Sequence, residues 1–351
     1  MEKSNNNKTY KAVVLNKFRE NPKVEDINHH DLNDNELLVK MSYTSILPSD
    51  LFILQGQYGK KQPELPVVVG NEGSGVIQNV GAKVDKSMIG KHVCVLGTHA
   101  NPDKAEYKPQ GVWGEYTYTT KDYIVPFESK VDLKNVVNAF VNPLTACGFV
   151  DTVLKNNKKA FAHTGASSQL GRILIKLCSK ENIVLINLVR KNESIEELKK
   201  LDGFNKETNF FVNTSEDKWE EKLKKLCEEK NVDILFDSVG GKITGKCLTA
   251  IKDNGVVYNY GNLSFEDLSD FYTKELIFNN KRLEGWWLKI WLESAGKETM
   301  GKYFGMIQKD LEKDNGKIFK TEYRTSYKFS DFEKAFKDYT EKGSGKVLIE
   351  F

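Results

Sequence analysis

Hydrophobic and polar positions follow two different rhythms along this chain, and the change falls near residue 135. Before it, short β-like runs at 11–15, 36–42, 66–69, 74–80, 92–97 and 114–119 are split by Gly and Pro. They predict a Gly-rich, mostly antiparallel β domain whose first strand begins around Tyr10. After residue 158 apolar runs alternate with helix-spaced patterns. A strand over 159–164 leads through a glycine turn into a helix over 169–180. A strand over 183–189 precedes a helix over 194–201, with Ile195, Leu198 and Leu201 on one face. A strand at 210–212, an amphipathic helix at 216–230, a strand at 232–236, a helix from Lys242 and a strand at 255–260 continue the series. Such alternation predicts a parallel sheet with helices on both faces. The tail from about Met300 returns to mixed patterns, ends in a strand over 346–351, and is expected to complete the first domain.

Composition narrows the class. At 351 residues the chain is long enough for two domains with separate cores. Aromatics at 11% supply core material that a disordered chain lacks. The 52 basic and 49 acidic residues intermix, so no nucleic-acid partner is expected. The longest uncharged stretch, 135–150, is interrupted by Asn138, Asn142 and Pro143 and is too short and polar to span a bilayer. No membrane partner is expected. The first residues show neither an apolar signal core nor an Arg-rich presequence, which gives a cytoplasmic expectation. Five scattered cysteines, an odd number without CxxC spacing, read as buried free thiols.

The chemistry concentrates in AFAHTGASSQLGRILIKL, residues 160–177. Gly165 follows a strand directly and permits a tight turn, while Gly171 opens a helix and permits close packing. A helix amino terminus offers backbone N–H groups and a positive dipole end to a pyrophosphate. The middle glycine of the usual fingerprint is missing, and Ala166, Ser167 and Ser168 occupy the turn. Inside a β/α series this turn, with Gln169 and Leu170, reads as nucleotide-binding. An NAD-binding fold places an acid about 20 residues on, for the ribose hydroxyls. Here Arg190 stands 19 residues after Gly171, followed by Lys191. Both would pair with a 2′-phosphate, which points to NADPH.

GNEGSGVI (70–77), VNPLTA (141–146), DSVGGKITG (237–245), VVYNYGNLS (256–264) and LEGWWLKIW (283–291), together with the phosphate turn, resemble the medium-chain dehydrogenase/reductase superfamily. The resemblance runs from about Tyr10 to Phe351. LPSDLFILQGQYGKKQPELPVVVGNEG (47–73) is similar to the zinc-free branch, which holds 2-enoyl thioester reductases and quinone-oxidoreductase-like proteins. The resemblance implies an α/β protein with a GroES-like β domain (1–138 plus 301–351), an inserted Rossmann domain (139–300), and a homodimer. It implies Leu47 or Pro48, Asn71 and Val141 where zinc relatives hold their catalytic metal, and none of these supplies a thiolate or imidazole. It further implies Tyr58, Asn71 and Thr145 as catalytic positions. Asn142, Thr145, Tyr260, Gly261 and Trp287 become cofactor-contacting positions beside the phosphate turn. Trp286 and Trp291 are expected in the core or at a dimer edge.

The leading expectation is hydride reduction of a polarised C=C bond in a small-molecule enoyl thioester, enone or quinone. Tyr58 would donate the proton, since a phenol of pKa about 10 is still protonated at neutral pH. Metal-free carbonyl–alcohol interconversion is one alternative. A protein that binds NADPH with little turnover is another, because fold alone does not fix chemistry.

Overall fold

The computed structural model describes residues 8–100, 110–128, 131–342 and 345–351. The chain divides into two compact units: one takes the residues up to Val141, 311–316 and 320–351, the other 142–310 and 317–319.

The first unit contains β1 (Thr9–Leu15), β2 (Lys23–Asn28), β3 (Leu37–Ser45), α1 (Pro48–Leu54), β4 (Val67–Val68), β5 (Glu72–Val80), β6 (His92–Leu96), β7 (Tyr116–Thr119) and β8 (Ile124–Phe127). Alternation explains β3, where Leu37, Val39 and Met41 are buried on one face at period two. β1 lies between β2 and β4 in a three-stranded sheet. A larger sheet runs antiparallel through β3, β5, β6 and β8, with β7 also on β3.

The second unit is built from α2 (Val141–Lys155), β9 (Ala160–His163), α3 (Gln169–Glu181), β10 (Val184–Val189), α4 (Asn192–Leu198), β11 (Asn209–Asn213), α5 (Trp219–Lys230), β12 (Ile234–Asp237), α6 (Lys242–Ala250), β13 (Val256–Asn259), α7 (Thr273–Ile277), β14 (Arg282–Gly285), α8 (Leu288–Ser294) and α9 (Gly296–Lys313). Its six strands pair in the order β11-β10-β9-β12-β13-β14, all parallel. Counted within the sheet this is the Rossmann order 3-2-1-4-5-6, which reverses between β9 and β12. Ligands of such sheets bind outside the strands' carboxyl ends at that reversal.

The chain then returns to the first unit as β15 (Tyr323–Lys328), α10 (Phe332–Lys342) and β16 (Lys346–Glu350). β16 pairs with β3, and β15 lies parallel to β16. Phe332 of α10 meets the fully buried Trp113 ring at 5.1 Å, so the tail helps fill this unit's core. All five cysteines are free and buried.

Candidate active site

In the second unit, the turn after β9 is shaped by its small residues. Gly165 has φ +69, and a Cβ there would fall 2.7 Å from Ser238 Oγ. A Cβ on Gly171 would lie 2.2 Å from the Ala166 carbonyl oxygen, so glycine lets α3 start this close to the turn. The Ala166 N–H donates to the Leu188 carbonyl at 3.1 Å, tying the turn to β10. Ser168 caps α3, its Oγ accepting from the Gly171 N–H at 3.1 Å. The serine thus gives the departure from the usual glycine pattern a structural use. Ser167 and Ser168 are exposed, whereas the Ala166 and Leu170 side chains are buried. A ligand at the turn would not meet the latter two through their side chains.

His163 precedes this turn and is fully buried, with Nε2 2.8 Å from Asn187 Oδ1. Burial pushes its ring down to about 4, so it is neutral near pH 7. Arg190 and Lys191 are exposed at the end of β10. Their turn is held from β11: Ser215 Oγ donates to the Arg190 carbonyl at 2.9 Å, and Asn213 Nδ2 donates to Asn192 Oδ1 at 3.0 Å. The guanidinium and ammonium are therefore presented on a braced backbone.

Asn142 and Thr145 lie one turn apart on α2. Phe149, a further turn on, stacks on Phe236 at 3.8 Å and meets Tyr260 and Trp286 edge-on at 4.8 and 4.7 Å. Tyr260 and Gly261 follow β13; the Tyr260 N–H donates to the Asp237 carbonyl at 2.9 Å, and Gly261 sits against the Ser238 backbone. Ser238 thereby joins Gly165 and Gly261 at the carboxyl ends of neighbouring strands. Trp287 is half-buried at the start of α8, with Lys289 Nζ 5.2 Å from its ring. Trp291 is buried and its Nε1 donates to Asp151 Oδ2 at 2.8 Å. Trp286 packs on Phe149 and donates to Thr152 Oγ1 at 3.3 Å. Both serve the core of this unit, one of the two roles expected of them.

In the first unit, α1 connects the other two predicted positions. Asp50 is buried, and its carboxylate accepts from the Leu47 N–H at 2.7 Å and the Asn71 N–H at 2.9 Å. Asn71 Nδ2 donates to Ser49 Oγ at 2.9 Å, so its buried amide is fixed against the helix start. Burial pushes the Asp50 carboxyl up to about 7, opposed by the Leu47 hydrogen bond and by buried Lys346. Tyr58 follows the other end of α1, between Gly56 (φ +69) and Gly59 (φ +78). It is half-buried against the core rather than splayed out in solvent, and its carbonyl accepts from Gln62 Nε2 at 3.0 Å.

Sequence alone does not single out Asp50 and Asp237. The signals available were the Ser-Asp pair opening α1 and the DSVGG run.

The chain matches the family model of the alcohol dehydrogenase GroES-like domain over residues 33–129, and that of the zinc-binding dehydrogenase over 170–300. It is 25% identical over 334 residues to the mitochondrial enoyl-[acyl-carrier-protein] reductase of Dictyostelium discoideum, covering 93% of this chain and 89% of that one. Among solved structures it is similar to a candidate NADPH:quinone reductase from Mesorhizobium loti, with 25% identity, TM-score 0.84 and 100% of both chains covered. The mitochondrial 2-enoyl thioester reductase heterodimer from Candida tropicalis shares the fold at TM-score 0.76 and 20% identity, covering 98% of this chain and 100% of that one. The mitochondrial names run against the cytoplasmic expectation drawn from the first residues. No helix among the described residues is long and apolar enough to cross a membrane. The two family models, the sheet order and the enoyl reductase and quinone reductase relatives agree: the chain belongs to the zinc-free branch of the medium-chain dehydrogenase/reductase superfamily of oxidoreductases.

Proposed function

We propose that the chain is an NADPH-dependent reductase of a polarised C=C bond, carried by a 2-enoyl thioester, an enone or a quinone. The observation that supports it most is the basic end of β10, where Arg190 and Lys191 stand in place of a ribose-binding acid. The cradle fits the cofactor. Gly165 leaves its turn open, and α3 points its positive end at the strand reversal. NADPH, when bound, supplies the hydride. Arg190 and Lys191 pair with the 2′-phosphate, and the Gly165 turn with the positive end of α3 receives the pyrophosphate. Asn142, Thr145, Tyr260, Gly261 and Trp287 border the nicotinamide end. In the first unit Tyr58 delivers a proton to the α-carbon, or a hydrogen bond to the developing enolate. The Asn71 amide, held by Asp50 and Ser49, orients the substrate.

Cofactor choice tests this reading. A charge-assisted bond of this kind contributes about 1.5–3 kcal/mol, so NADPH should bind at least about tenfold more tightly than NADH. Arg190→Ala should erase most of that preference while leaving NADH affinity nearly unchanged. Equal affinities for the two cofactors in the parent protein would sink the NADPH assignment.

Substrate class is tested by NADPH oxidation with crotonyl-CoA, a short enone, a quinone and an aldehyde, side by side in chelated buffer. Turnover of one or more of the first three without metal is the expected result. Turnover of the aldehyde alone would favour carbonyl chemistry, and tight NADPH binding with no acceptor would favour a binding protein. Activity restored only by Zn²⁺ would show that metal ligands had been misjudged at Leu47, Pro48, Asn71 and Val141.

We also propose a homodimer through the edge of the parallel sheet. β14 has β13 as its one partner strand among the described residues, and nearby Ile277 and Phe278 are 64% and 82% exposed. An open strand edge beside exposed apolar side chains calls for cover. Light scattering should give twice the chain mass; a monomer at high micromolar concentration would refute the assignment.

A further inference from the structure

Asp237 ends β12, beside the point where the strand order reverses, and its side chain is fully buried. Oδ1 accepts from Thr164 Oγ1 at 2.7 Å and the Val239 N–H at 2.9 Å. Oδ2 accepts from the Gly240 N–H at 3.1 Å, Thr244 Oγ1 at 2.5 Å and Asn259 Nδ2 at 3.5 Å. These donors come from the turn after β9, the loop after β12, the first turns of α6, and the end of β13. Thr164 closes the circuit, because its Oγ1 also accepts from the Ser238 N–H at 2.9 Å.

A buried carboxylate costs free energy unless its acceptor sites are filled, and here five donors from both sides of the strand reversal fill them. The loop it holds is the one that meets the cofactor turn, since Ser238 packs against Gly165 on one side and Gly261 on the other. The Leu263 N–H adds a bond to the Ser238 carbonyl at 3.0 Å, so the loop's far side is fixed as well.

We infer that Asp237 is a positioning residue of the dinucleotide site, holding the phosphate turn and the 238–241 loop in one register across the strand reversal. The inference rests on the NADPH reading above. A dinucleotide reaches from the Arg190 end of the sheet to the Tyr260–Gly261 end, so its affinity depends on the spacing between these loops. Adenosine 2′-monophosphate, which lacks the 5′-phosphate, engages the Arg190 end alone. Asp237→Asn keeps the shape but replaces one acceptor by an N–H₂ group, which is set against donors that also need an acceptor.

The test compares two ligands on the same variant. With Asp237→Asn, the Kd for NADPH should rise about tenfold or more, as expected when buried donors lose a charged acceptor. The Kd for adenosine 2′-monophosphate should stay within about twofold, because distant, independent sites do not couple. NADPH affinity unchanged, or both ligands weakened in parallel, would overturn the inference; the second result would mark a general loss of fold. If the Asn variant does not fold, Thr164→Val removes one donor and should give the same selective loss at about threefold, near the low end for one hydrogen bond. Equal NADPH affinity in that variant would be equally fatal. A parent protein that binds neither ligand removes the NADPH reading and this inference together. One that binds both, with an indifferent Asn variant, removes this inference alone.

Discussion

Tyr58→Phe is expected to lower kcat for an enoyl thioester by about 10²–10⁴-fold, the usual contribution of general acid catalysis. Hydride arrival at the β-carbon builds negative charge on the carbonyl oxygen, and the α-carbon then needs a proton. A phenol meets that need only if its approach is defined. Gly56 and Gly59 set the loop backbone, and the ring rests half-buried against the core of the first unit. The interaction strengthens in the transition state, so kcat should fall more than KM rises. NADPH affinity should hold, since Tyr58 is not assigned to the cofactor. Quinone reduction should tolerate the change better, because solvent can protonate the product oxygen. If the variant reduces crotonyl-CoA at the parent rate, Tyr58 is a turn residue and the proposed mechanism loses its acid.

The part of this site legible in sequence was the part written in periodicity. Each strand from β9 to β13 is a compact apolar run, and the helices between them carry one apolar stripe, as α3 does with Ile173, Leu174 and Leu177. Helix α2 escaped notice because it is buried nearly all round. From Pro143 to Val150 every residue is buried, so no polar face marks its turn. Strands β2 and β14 were missed for the opposite reason: KVEDIN and RLEG are mostly exposed edge strands with no apolar alternation to read. Proline hid α1, although Pro48 at a first helical position favours a start. Asp237 was invisible as a chemical group, since a carboxylate's partners from three other chain segments are known only once the strands have paired.

Lys281→Met should destabilise the second unit by about 3–5 kcal/mol, because it strands a carboxylate in the interior. Lys281 Nζ lies 2.6 Å from Glu275 Oε2, with the two side chains 3% and 4% exposed. The ammonium also donates to the Thr249 carbonyl at 3.0 Å, and Asn279 Nδ2 donates to Glu275 Oε2 at 2.8 Å. One buried pair thus ties α6 and α7 to the start of β14, the strand proposed to meet a second copy. For a unit of this size each kcal/mol moves Tm by about 2–4 °C, so a fall of roughly 6–20 °C is expected. Burial alone would raise the Glu275 carboxyl, but the bonds from Lys281 and Asn279 hold it below the ordinary carboxylate value. Its stabilisation is therefore complete above the unfolded pKa and is lost as pH falls through the lower folded one. In the Met variant the stranded carboxyl protonates readily, so the difference from the parent should shrink below about pH 4. Replacing both partners, as Glu275→Leu with Lys281→Met, removes the stranded charge and should recover most of the loss. Denaturant unfolding of the parent and the two variants across pH decides the matter. A single variant within about 1 kcal/mol of the parent, the range of an exposed pair, would show that water already reaches Glu275 and that the clamp on β14 lies elsewhere.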